Sequence, residues 1–159
     1  MNAFKFSLQK ALEWRRTELE LAELRFRQQA AALGELDRQR AQWEGAGTAA
    51  ETQVRSWNPV AGTELSALGT FRLYVKMKET ELDVSRGQCR QELEQRQAAM
   101  LEARRRLRLL ERLRERRYAE WRVARDKELE ELASESYLAK WNHRQMDDPV
   151  PPYNEDHDA

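Results

Sequence analysis

Between residues 65 and 145 the chain contains no proline, and between 4 and 44 there is none either. Stretches of that length without a breaker, rich in Ala, Leu, Arg, Glu and Gln, favour helix. The whole chain holds four prolines and six glycines, too few for an all-β domain that turns every eight to twelve residues.

Hydrophobic spacing predicts what the helices do. Leu12, Leu19, Phe26 and Leu33 stand seven apart, with Leu8, Ala22, Leu36 and Trp43 on companion positions and Arg15, Gln29 and Arg40 as interruptions. Leu68, Val75, Leu82 and Cys89 form a second series, continued by Leu93, Met100, Leu107 and Trp121, with Ala103, Leu110 and Ala124 beside them. A 3–4 stripe of this kind needs a partner helix to bury it.

The sequence therefore predicts an all-α fold, a long antiparallel two-helix coiled-coil hairpin over residues 3–146. Its parts are a helix over about 4–44, a tip over about 45–64 and a helix over about 65–145. Gly45, Gly47, Asn58-Pro59 and Gly62 mark the tip, and Thr63 or Ser66 is the expected cap of the second helix. Centring the tip near residue 55 sets Leu12 opposite about residue 98. A first helix of roughly 60 Å cannot cover a second of roughly 120 Å. The second helix is thus expected to project unpaired beyond about Leu107. Pro149, Pro151 and Pro152 end it, and residues 147–159, with five acids and no Lys or Arg, are expected to be a disordered acidic tail.

Charge separates along the chain. The 28 basic and 28 acidic residues balance, yet the tail takes its share of acids, so residues 1–146 are net basic. Arg104-Arg105-Arg106-Leu107-Arg108 opens a stretch with ten arginines by Arg125. Phosphate neutralisation is one reading of such a run. An acidic protein partner is another, and a solvated helix face is a third, because Glu111 and Glu115 stand at helical spacings from Arg108, Arg112 and Arg116. The leucines at 107, 109, 110 and 113 argue against a bare basic recognition helix.

Several classes are not expected. No apolar run approaches the ~18 residues of a membrane span, and the first residues lack the apolar core of a secretory signal. Cys89 alone makes neither a disulfide nor a zinc site. There is no glycine-rich phosphate loop with lysine, and His143 and His157 are isolated. The expectation is a cytoplasmic, non-enzymatic protein with no catalytic residue, cofactor, metal, nucleic-acid ligand or membrane insertion. Aromatic residues are then the natural partner anchors: Trp43, Trp57, Phe71 and Tyr74 near the tip, and Tyr118, Trp121, Tyr137 and Trp141 at the other end. For Trp43 and Phe71, plugging the closed end of the coil is an equal alternative.

Four segments carry a family resemblance. They are Phe4-x-Phe6-x-Leu8-x-x-x-Leu12 followed by Glu18, the pair Phe71-x-x-Tyr74, the run Leu110-Glu111-Arg112-Leu113-Arg114-Glu115-Arg116-Arg117, and the run Asp126-Lys127-Glu128-Leu129-Glu130-Glu131-Leu132-Ala133. In order and spacing, across about residues 4–146, they resemble the flagellar export protein FliJ family. Lys78 departs from the pattern, near where the family often has an apolar residue.

The resemblance implies a non-enzymatic stalk, similar to the central stalk subunit of rotary ATPases. Such a stalk links the hexameric flagellar type III export ATPase to the export gate, a membrane protein with a cytoplasmic domain, and escorts export chaperones. It implies a cytoplasmic location, peripheral at the inner-membrane export apparatus. Trp43, Phe71 and Tyr74 match the gate-contact region. The open end would face the ATPase, with Leu110, Arg112, Leu113, Arg114, Arg117, Trp121 and Leu132 as contacts. The alternatives are the stalk protein of a virulence type III injectisome, a generic structural coiled coil, and an arginine-rich nucleic-acid-binding module.

Overall fold

A computed structural model describes residues 3–147. The described chain is all-helical, with two helices: α1, Gln9–Arg55, and α2, Gly62–Asp147. It divides into two units, residues 8–110 and residues 3–7 with 111–147.

In the unit 8–110, α1 and α2 run in opposite directions along their shared contacts. Glu51 pairs with Arg72 at 2.8 Å, Arg40 with Asp83 at 2.8 Å, Asp37 with Arg86 at 2.6 Å and Glu23 with Arg104 at 3.1 Å. Positions that rise along α1 meet positions that fall along α2. The buried apolar residues of the two helices are Leu12, which is fully buried, and Val75, Cys89, Ala103 and Leu107. All five belong to the 3–4 series read from the sequence.

The helix boundaries differ from the sequence expectation. α1 does not stop at residue 44 but continues through Gly45-Ala46-Gly47-Thr48 to Arg55, and the connection shrinks from 45–64 to residues 56–61. Glycine inside a helix costs about 1 kcal/mol relative to alanine. The extra helical length sets that cost against new contacts with α2. A Cβ on Gly47 would lie 3.4 Å from the Val75 side chain, so this position faces α2 at ordinary contact distance. Glu51, further along, reaches Arg72.

The turn itself is made by local hydrogen bonds. The Ser56 hydroxyl donates to the Gln53 carbonyl at 2.6 Å, and the Trp57 N–H donates to the Val54 carbonyl at 3.2 Å, tightening the last turn of α1. The cap of α2 is neither Thr63 nor Ser66. The Ala61 N–H donates to the Glu64 carboxylate at 3.0 Å, and Glu64 N–H donates back to the Ala61 carbonyl at 3.1 Å. This is the glutamate half of a capping box.

The register moves with the turn. Arg106 lies 3.9 Å from Glu18, so Leu12, nearer the start of α1, is level with residues beyond Arg106 and not with residue 98. α2 is described as far as Asp147, so the expected acidic tail lies outside the described residues except for its first residue. Among the described residues no helix is long and apolar enough to cross a membrane.

Candidate functional site

The three interruptions of the α1 stripe become polar contacts. Gln29 donates to the Cys89 Sγ at 3.2 Å, to the Cys89 carbonyl at 3.4 Å and to Glu92 at 2.9 Å. Arg40 joins Asp83 and Glu44, while Arg86 joins Asp83 at 3.0 Å and Asp37, so five charges bridge the two helices. The guanidiniums of Arg40 and then Arg86 hold the Asp83 carboxyl below its ordinary pKa, and the Asp37 and Asp83 carboxylates raise that of Arg86. Arg15 turns to Glu18, 2.6 Å away, and covers the Trp14 ring at 4.5 Å.

One aromatic cluster belongs to the unit 8–110. Trp43 and Tyr74 meet across the helices with ring centroids 5.5 Å apart and planes at 77°, an edge-on contact. Lys78 lies 5.6 Å over the Tyr74 ring and pairs with Glu81 at 2.9 Å, whose hydrogen bond raises the lysine pKa. The lysine that departs from the family pattern therefore completes this cluster. Phe71 is half-buried on the face of Leu68 and Val75, whereas Tyr74 is 43% exposed. Of the three residues matched to the gate surface, two touch each other and Phe71 sits along the seam face.

A second cluster belongs to the unit formed by residues 3–7 and 111–147. Tyr118 and Trp121 stack at 5.7 Å, Arg125 lies 5.2 Å over the Trp121 ring, and Phe4 packs on both rings. The reading from sequence leaves Trp121 without a partner in its own chain, and Phe4 corrects it. The helix-length argument placed Phe4 in a helix over 4–44, with Leu12 opposite about residue 98, whereas α1 starts at Gln9 and residues 3–6 lie outside any helix. The signal for Phe4 was the Phe4-x-Phe6 alternation ahead of the first heptad.

The remaining residues assigned to ATPase contact are spread along α2. Leu110 and Leu113 are half-buried; Arg112 and Arg114 are exposed; Arg117 is exposed and paired with Glu120 at 3.2 Å. Leu132 is 53% exposed, as is its neighbour Leu129 at 44%. Tyr137, Leu138 and Trp141 follow, all exposed.

Beside the two aromatic clusters, the unit 8–110 carries an open groove between its helices, lined by Glu18, Leu21, Ala22, Ala99, Glu102 and Arg106, among others. Its carboxylates are bound to arginine: Glu18 to Arg15, and Glu102 to Arg106 at 3.0 Å. Among the described residues no group of three or more His, Cys, Asp or Glu is placed to hold a metal. No protein-family model, curated protein or solved structure matches this chain.

Proposed function

We propose that the chain is an antiparallel coiled-coil hairpin of the FliJ type, a non-enzymatic stalk between a flagellar type III export ATPase and its export gate. The observation that carries the reading is the pairing of α1 with α2 from Glu51–Arg72 to Glu18–Arg106, which stiffens one chain over some 33 residues of α1. Support also comes from the order of the four sequence segments that resemble the family. In this reading Trp43 and Tyr74 present their rings, and Lys78 its ammonium, to the gate. Leu110, Leu113, Trp121 and Leu132 meet the ATPase, with Arg112, Arg114 and Arg117 steering acidic groups on it. Export chaperones are further partners, and the protein works in the cytoplasm, peripheral to the inner-membrane apparatus.

The test is capture of a purified flagellar type III export ATPase from the same organism. Full-length protein should retain it, Leu132→Asp should lose it, and replacing Arg112, Arg114 and Arg117 with Gln should slow association more than it speeds dissociation. Absence of any capture by the full-length protein would refute the stalk reading. Capture of a virulence-system ATPase in its place would assign the same stalk role to an injectisome.

A further inference from the structure

We propose that residues 3–7 form a displaceable cover on the surface of α2 where the export ATPase docks. The identity of the incoming partner rests on the stalk reading above. The Phe4 ring stands edge-on to Tyr118 at 5.3 Å and tilted over Trp121 at 5.9 Å. With the Tyr118–Trp121 stack and Arg125 over Trp121, three rings and a guanidinium make one surface. Its top layer is supplied from the far end of the sequence.

The cover closes only part of a longer face. Tyr118, Trp121, Arg125, Leu129 and Leu132 follow one another at spacings of three and four, so they share one side of α2. Phe4 sits on the first two. Leu129 and Leu132 are left 44% and 53% exposed. A partner helix laid along this side packs on the leucines freely but meets Phe4 before it reaches Trp121.

The segment is built to lie on a surface and to leave it. Phe4 and Phe6 are half-buried while Lys5 and Ser7 are exposed, the period of two of an extended chain with one face down. Residues 3–6 lie outside any helix. Leu8 at the N-cap of α1 makes no side-chain capping hydrogen bond. Lifting Phe4 therefore costs ring contacts and breaks no helical hydrogen bond. While the cover is closed the docking surface is incomplete, and partner affinity is reduced by the fraction of molecules that are open.

The experiment uses full-length protein labelled with 5-fluorotryptophan, with the Trp121 fluorine resonance assigned by Trp121→Phe. Phe4→Ala should move that resonance and increase its solvent isotope shift, with helicity unchanged. The same variant should bind the export ATPase about tenfold more tightly, the factor expected for a surface open one-tenth of the time. An unmoved Trp121 resonance would overturn the cover. A moved resonance with equal or weaker ATPase binding would overturn the competition and make Phe4 inert or part of the docking surface. If neither protein binds the ATPase, the stalk reading fails and the competition with it, while the fluorine shift separately reports whether the contact exists.

Discussion

The side-chain amide of Gln29 on α1 donates to the Sγ of Cys89 on α2 at 3.2 Å, and the thiol donates to the Gln29 carbonyl at 3.8 Å. The two residues are 60 positions apart. A polar residue at a seam position favours one register at some cost in stability. The same proximity makes a covalent test of the pairing available with one substitution.

Gln29→Cys should form a disulfide with the native Cys89 within one chain under mild oxidation. Non-reducing electrophoresis and intact mass read the outcome. Closing a loop of this size stabilises by up to about 4 kcal/mol on the chain-entropy estimate, visible as a higher Tm in the oxidised protein. Crosslinks found only between chains would contradict the antiparallel pairing.

Leu12 is fully buried, whereas Leu73 on α2 is 74% exposed. Leu12→Ala should cost about 2–5 kcal/mol, the range for truncating a buried leucine. Leu73→Ala should stay within about 0.5 kcal/mol. Chemical denaturation followed by circular dichroism compares them. Similar losses for both would mean that Leu12 is not in the seam.

A Cβ on Gly45 meets nothing within 4 Å, and one on Gly47 meets Val75 in ordinary contact. Alanine at either position should therefore stabilise the protein by about 0.5–1 kcal/mol, since helical glycine is disfavoured by that amount. A drop in Tm for Gly45→Ala would instead put the turn back at residues 45–48.

Phe71→Ala should lower Tm, because that ring shares the face of Leu68 and Val75. Tyr74→Ala should lower it less, removing an edge contact with Trp43 worth about 0.5–1.5 kcal/mol. Under the stalk reading, Tyr74→Ala should also weaken gate binding. Equal effects on Tm and unchanged gate binding would remove Tyr74 from the interface.

Asp83 has a depressed pKa through its hydrogen bonds with Arg40 and Arg86. Its contribution is therefore present above the ordinary aspartate pKa and is lost as pH falls through the lower folded value. Thermal melts below about pH 4 should show a decline in Tm that is shallower in Asp83→Asn. Parallel declines in the two proteins would show that the Arg40–Asp83–Arg86 bridge does not respond to protonation in this way.

The 3.6-residue period made the two-helix content and the seam legible in the amino-acid sequence. Leu12, Val75, Cys89, Ala103 and Leu107 are all buried where the periodicity places them, because helix geometry alone decides which residues share a face. The turn and the pairing were decided only by the tertiary structure. A 3–4 seam fits itself after any shift by whole heptads, so periodicity cannot say which turn of α1 meets which turn of α2. That choice falls to the Gln29–Cys89 layer and the charges of Asp37, Arg40, Asp83 and Arg86. Glycine at 45 and 47 reads locally as a helix stop. A cost of about 1 kcal/mol for each residue is offset when continuing the helix brings Gly47 against Val75 and Glu51 to Arg72. The Phe4 contact with Tyr118 and Trp121 was hidden for a related reason. It joins residues more than a hundred positions apart through an extended segment, and no local period along the chain encodes where such a segment comes to rest.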